Sequence, residues 1–246
     1  MNMITDLFQQ LRYPDCLFCH QKRQTEASWT ALVYGDHSVL CGDCEEKLEP
    51  LSGELCATCS RPLAMLAPAY RKGHICYDCF RWEEDPEWKG VLRINESLFL
   101  YNEFLKEIIS QYKFRGDYAL ANIFKRGINL KIKQLKPDLI VPIPLSKERL
   151  QERGFNQAEG ILIEAGGLTF SSLLTRQHSE KQSKKARDER LLQENIFQWS
   201  SDQSITDKSV LILDDIYTTG ATIRHAAKIL KYYGAKEVLS LTIARG

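Results

Sequence analysis

Apolar residues recur at three- and four-residue intervals between Leu98 and Lys113. Leu98, Tyr101, Leu105, Ile108, Ile109 and Tyr112 share one face, which predicts a helix over 98–113. A second helix is expected over roughly Tyr118–Lys133. Elsewhere the apolar runs are short and unbroken. Leu139–Val141 stops at Pro142 and Ser209–Leu213 stops at two aspartates, so both read as buried strands that end in loops. Asn156–Ala165 is expected to be a helix capped by Asn156 and closed by Gly166 and Gly167. Thr222–Tyr233 places Ile223, Ala226, Ala227 and Leu230 on one face and stops at Gly234; a strand follows at Val238–Ile243. Strand, helix, strand at this spacing is a βαβ unit, so the fold class is α/β with a parallel sheet flanked by helices. Thr175–Leu192 is rich in charge and is expected to be helical or mobile, and Met1–Arg12 reads as a short amphipathic segment.

The first third of the chain has a different character. Residues 1–85 are cysteine-rich and lack long periodic segments, and the polar stretch Arg81–Gly90 separates them from 86–246. Two domains with that boundary are expected. Hydrophobic residues make up 43% of the 246, enough for a sizeable core. The net charge of +1 excludes a whole-molecule attraction to nucleic acid but leaves room for local basic patches. No apolar run approaches the ~18 residues of a membrane span and no signal pattern opens the chain, so a cytoplasmic location without a membrane span is expected.

All eight cysteines fall in Cys-x-x-Cys pairs: Cys16/Cys19, Cys41/Cys44, Cys56/Cys59 and Cys76/Cys79. Each pair can give two sulfurs to one ion, and two pairs complete a tetrahedral site, so eight sulfurs fit two structural zincs. Sequential pairing leaves 21 and 16 residues between the pairs; interleaved pairing gives longer loops. A thioredoxin-like redox reading suits one pair better than four. His20, His37 and His74 are surplus to the sulfur count and are expected at the surface.

The sharpest motif is Val210-Leu-Ile-Leu-Asp-Asp-Ile-Tyr-Thr-Thr-Gly-Ala-Thr222. An apolar strand delivers Asp214 and Asp215, then a turn of Thr218, Thr219, Gly220 and Ala221, then a helix opening at Thr222. Unpaired N–H groups at a helix N-terminus favour an anion. The threonine hydroxyls add donors, and Gly220 admits close backbone approach. The aspartates can accept from vicinal hydroxyls. Phosphate at one end and a diol at the other describe a ribose 5-phosphate, and the stretch resembles the binding loop of type I phosphoribosyltransferases. The plainer alternative, a capped helix with two solvated acids, leaves adjacent carboxylates at the end of a buried strand without a partner.

A second strand end carries Lys147, Arg149 and Arg153 on a segment constrained by Pro142 and Pro144, cations suited to a diphosphate. Its wording, Pro-Ile-Pro-Leu…Arg-Gly-Phe-Asn-Gln157, resembles the signature of the bacterial competence protein F (ComF) family. So do Tyr101…Tyr112-Lys-Phe-Arg-Gly-Asp117, the basic segment Arg176…Lys181-Gln-Ser…Arg190, and the four cysteine pairs.

The resemblance spans nearly the whole chain and implies several things. The fold is a type I phosphoribosyltransferase-like sheet preceded by a double zinc ribbon with sequential pairing. The ligand is phosphoribosyl diphosphate with Mg²⁺, and Lys113 and Arg115 lie on a hood that closes over it. The family's role is natural transformation, with single-stranded DNA, a DNA-translocating ATPase and other DNA-processing proteins as partners. Candidate DNA contacts are Lys125, Arg126, Lys131, Lys133 and Lys136, and Arg176, Lys181, Lys184, Lys185, Arg187 and Arg190. Phe18, Trp29, Tyr77 and Phe80 are candidates for base stacking. No glutaminase site is expected, because Cys16 belongs to a metal-type pair. Three readings follow: a competence factor that binds the sugar diphosphate and DNA, an active phosphoribosyltransferase whose acceptor no motif identifies, and a ligand sensor that controls a partner contact.

Overall fold

The computed structural model describes residues 14–23, 38–176 and 196–246. Its centre is a four-stranded sheet of β3 (Ile94–Leu100), β8 (Glu237–Arg245), β7 (Ser209–Tyr217) and β4 (Leu139–Pro142), in that order and parallel throughout. The remaining strands form two small antiparallel pairs: β1 (Arg71–Lys72) with β2 (Ile75–Cys76), and β5 (Leu174–Arg176) with β6 (Phe197–Trp199). The described α-helices are α1 (Gly42–Glu45), α2 (Tyr77–Glu84), α3 (Glu103–Phe114), α4 (Lys125–Leu135), α5 (Lys147–Arg153), α6 (Gln157–Glu164) and α7 (Ala221–Tyr232). None is long and apolar enough to cross a membrane.

The sheet sorts its side chains by the two-residue period of a strand. Leu211, Leu213, Leu239, Leu241 and Ile243 join one core with α3, α6 and the 3₁₀ stretch Tyr118–Phe124. Val141, Val210, Ile212 and Val238 join the other, with Ile223, Ala226, Ala227 and Leu230 of α7. Each cysteine quartet is built into one of these cores: Cys16 and Cys44 into the first, and Cys56, Cys59, Cys76 and Cys79 into the second. The buried hydroxyls of β8 are satisfied within the sheet. Ser240 donates to Asn95 Oδ1 at 2.8 Å, and Thr242 and Ser97 hydroxyls lie 2.7 Å apart. A buried network complete in this way favours one strand register.

Several elements differ from the sequence reading. The expected helix over 98–113 is split: Leu98–Leu100 finish β3, and α3 begins at Glu103, where Asn102 Oδ1 accepts the Leu105 N–H at 2.9 Å. Pairing of Ile94–Leu100 with β8 outweighs the helical spacing of Leu98 and Tyr101. The second helix opens with 3₁₀ geometry and becomes α-helical only at Lys125. β7 runs past Leu213 to Tyr217, so Asp214 and Asp215 are strand residues, and α7 starts at Ala221. Lys147, Arg149 and Arg153 lie on a short helix and not on an open loop: Ser146 caps it and Gly154, at φ 78°, ends it. Thr175 and Arg176 belong to a strand. The rest of the Thr175–Leu192 segment (with Lys181, Lys184, Lys185, Arg187 and Arg190), Met1–Arg12, Trp29 and His37 lie outside the described residues.

Candidate functional site

In an open parallel sheet, ligands gather where loops leave the carboxyl ends of adjacent strands. β4 and β7 are such neighbours, with Pro142 opposite Leu213. A cleft of about 180 Å³ opens above them. The acid side is Asp214 and Asp215 with Thr222; the basic side is Lys113, Arg149, Arg153 and Arg176.

Each group reaches the cleft for a local reason. Lys113 sits in the last turn of α3. Its neighbour Tyr112 is buried and donates its hydroxyl to the Gln157 carbonyl at 2.8 Å, which aims that face of the helix inward. Lys113 Nζ pairs with Asp215 Oδ2. Arg153 donates to Gln157 Oε1 at 2.6 Å and lies 5.2 Å over the Phe114 ring. Asn156 caps α6 by accepting the Ala158 N–H at 3.0 Å. Its amide donates to the Ile143 carbonyl at 3.1 Å, tying that helix to the end of β4.

The electrostatics are those of like charges crowded together out of solvent. Loss of solvent pushes the Asp214 carboxyl up to about 8; the Asp215 charge adds to the push and Lys113 opposes it. Burial lowers the pKa of Arg153, and the Arg149 charge lowers it further. Arg176 shifts down for the same two reasons, against the pull of Asp214. Crowded cations would gain from an anion, and the crowded acids from a cation or from hydroxyl donors.

The loop after β7 has the expected parts. Gly220 adopts φ 82° as N-cap of α7 and brings no side chain of its own to cap it; Thr219 Oγ1 accepts the Ala221 N–H at a long 3.4 Å. The first-turn N–H groups therefore have no helical partner. A Cβ at Gly220 would run into the hydroxyl and ring of Tyr217. Thr218 and Thr219 are exposed, and the Thr219 carbonyl accepts the Trp82 indole N–H at 3.0 Å.

Of the residues singled out from the sequence, the cleft unites Asp214, Asp215, Thr222, Lys113, Arg149 and Arg153. Lys147 is exposed on the first turn of α5 and does not line the cleft, because Ser146 caps that helix ahead of it. Arg176, read from sequence only as part of a basic patch, is a cleft residue. Only the long-range pairing of β5 with β6 places it. The α4 group is spread over one helix: Lys131 pairs with Glu96 at 2.8 Å, Arg126, Lys133 and Lys136 are exposed, and Lys125 is half-buried. Phe18 packs edge-on to Phe104 at 4.8 Å, whereas Tyr77 stacks with Phe80 and stays 41% exposed.

The cysteines form two sequential quartets, Cys16/Cys19/Cys41/Cys44 and Cys56/Cys59/Cys76/Cys79, each with its sulfurs within 4.8 Å of one another. Four thiolates ~2.3 Å from one tetrahedral ion stand about 3.8 Å apart. The Cys19–Cys41 and Cys59–Cys76 sulfurs are 3.6 Å and 3.7 Å apart. Both quartets could hold a metal ion. His74 bonds to Glu54 at 3.0 Å and is in neither quartet.

Comparison with known proteins matches these two parts. The phosphoribosyl transferase domain family model covers residues 126–246. Competence protein ComFC of Bacillus subtilis is 38% identical over 94% of both chains. Competence protein ComFC of Streptococcus pneumoniae is 36% identical over 94% of this chain and 99% of its own. DNA utilization protein YhgH of Escherichia coli K12 is 25% identical over 81% of this chain and 93% of its own. With that identity over nearly its full length, the chain belongs to the ComFC family of competence proteins.

Proposed function

We propose that this protein is a competence factor for DNA uptake whose cleft binds phosphoribosyl diphosphate with Mg²⁺. One observation carries the ligand: four cations face two acids at the carboxyl ends of β4 and β7, beside the glycine-led N-terminus of α7. The phosphate would take the N–H groups of Thr219–Thr222 and the hydroxyls of Thr218, Thr219 and Thr222. The ribose hydroxyls would donate to Asp214 and Asp215, and the diphosphate would meet Arg149, Arg153, Arg176 and Lys113. Asp214 and Asp215 would stand beside Mg²⁺, which would supply neutralising charge for the diphosphate. An acid pair in which burial and mutual repulsion hold Asp214 near 8 is a fitting neighbour for a cation. Calorimetric titration of the ligand with Mg²⁺ should give saturable binding in the wild type and none in Asp214→Asn/Asp215→Asn. A folded wild type that takes up no ligand sinks the reading.

Structural zinc in both quartets, the division into 1–85 and 86–246, and a cytoplasmic location belong to the same reading. So does contact with single-stranded DNA, favoured by the exposed Arg126 and Lys133 on α4 and Lys136 just past its end. Partnership with a competence ATPase follows from the family role.

The second reading, turnover, is favoured by the intact acid pair and its contact with Lys113. The sugar C1–O bond would break with its electron pair leaving on the diphosphate, where Arg149 and Arg153 hold the growing charge. An acceptor lone pair would then close on C1. Diphosphate release that disappears in Asp215→Asn is the outcome expected of turnover. Silence with every nucleobase, amine and DNA end offered would leave binding alone.

A further inference from the structure

The phosphate loop is held from outside the cleft by the second cysteine quartet. α2 begins between Cys76 and Cys79, and Trp82 on its next turn donates to the Thr219 carbonyl at 3.0 Å. The adjacent Glu83 pairs with Arg224, which is fully buried in the first turns of α7, at 3.1 Å. The Arg224 guanidinium also lies 5.2 Å over the Trp82 ring. A second connection runs through Arg245, 1% exposed at the end of β8. One guanidinium nitrogen donates to Cys59 Sγ at 3.3 Å and another to the Tyr217 carbonyl at 3.1 Å. Tyr217 in turn supports Gly220 from below. Hydrogen bonds accepted by the Tyr217 and Thr219 carbonyls therefore lead back to the same quartet, one through Arg245 to Cys59 and the other through Trp82 and α2.

A divalent ion held by four thiolates would leave the cluster at −2, and the buried Arg245 guanidinium, donating to Cys59 Sγ at 3.3 Å, is placed to be its counter-charge.

We propose that the second quartet positions the phosphate loop: Arg245 and Trp82 fix the Tyr217 and Thr219 carbonyls and so set the loop in its anion-binding shape. Both are positioning residues. What the loop holds rests on the phosphoribosyl diphosphate reading; the coupling itself does not. The test uses the full zinc-loaded chain as wild type, Trp82→Phe and Arg245→Lys. Trp82→Phe keeps a packed ring and removes the donor; Arg245→Lys keeps the charge and cannot span both acceptors. Hydrogen exchange at residues 217–221 without ligand should quicken in both variants while two zincs remain bound. Affinity for phosphoribosyl diphosphate with Mg²⁺ should fall about fivefold, the worth of one hydrogen bond. In the wild type, the Trp82 indole N–H resonance should shift on saturation, a response that a merely structural tryptophan does not make. Loop exchange equal to wild type in both variants overturns the coupling. Quickened exchange in a protein whose wild type binds no ligand upholds the coupling and removes the ligand reading instead.

Discussion

Gly220 and Asp214 carry opposite kinds of demand. Gly220 is fixed by geometry: its φ of 82° and the ring of Tyr217 beneath it exclude any side chain. Forcing alanine into that conformation costs ~1–2 kcal/mol. Gly220→Ala should therefore weaken phosphoribosyl diphosphate binding about tenfold or more by titration. An unchanged affinity would show that the loop's shape is set elsewhere. Asp214 is fixed by charge. Unfolded, it loses its proton near about pH 4; folded, it keeps it until about 8, because burial and Asp215 disfavour the anion. Its contribution to stability is thus complete in acid and is lost as pH rises through that range. Asp214→Asn should flatten the slope, its melting temperature falling less than wild type's between about pH 5 and about pH 9. Parallel curves would mean that the carboxyl titrates alike in both states.

Among the elements, α6 shows how a cap serves a site. Asn156 holds the helix start with its oxygen and the Ile143 carbonyl with its nitrogen. Asn156→Ala should cost ~1 kcal/mol of cap energy, a fall of about 2–4 °C in melting temperature. It should also weaken diphosphate binding, because Ile143 lines the cleft. Loss of stability with affinity intact would separate the cap from the site. This cap was legible in the sequence, and so were β7, α7 and the acid pair, because one short window holds both the pattern and its punctuation. β3 was not. Its residues Leu98–Leu100 run into a helical spacing, and the break lies in Asn102, whose capping role needs the helix start to be known first. The stop and start of α5 were present as Ser146 and Gly154 but were overshadowed by the two prolines before them. Arg176 and Trp82 could not be found locally. One arrives by strand pairing, and the other bonds to a residue 137 positions away.

At the scale of the molecule, the quartets are not appendages. Each contributes cysteines to one of the two cores that flank the sheet, so loss of a metal held by the quartets would reach both. A strong chelator should lower the melting temperature of the whole chain and blur its transition, since structural zinc is folding energy. A melt confined to the cysteine-rich region, with the remainder unfolding as before, would argue for separable units. Contact with single-stranded oligonucleotide should weaken steeply with salt, and less so when Lys133 and Lys136 are changed to alanine; indifference to both would move the contact off α4. The strand order has a consequence for how the protein is made. β8 lies between β3 and β7, and its pairing with them is the sheet's central seam. On the ribosome, β3 emerges more than a hundred residues before β8, its parallel partner, and the acid-bearing strand waits beside an open edge. The nascent chain therefore carries β3 without β8 for a long interval and, just before β8 arrives, a second open edge on β7, the situation in which non-local parallel sheets aggregate. A chain cut after residue 236 would lose the middle of its sheet and not its margin.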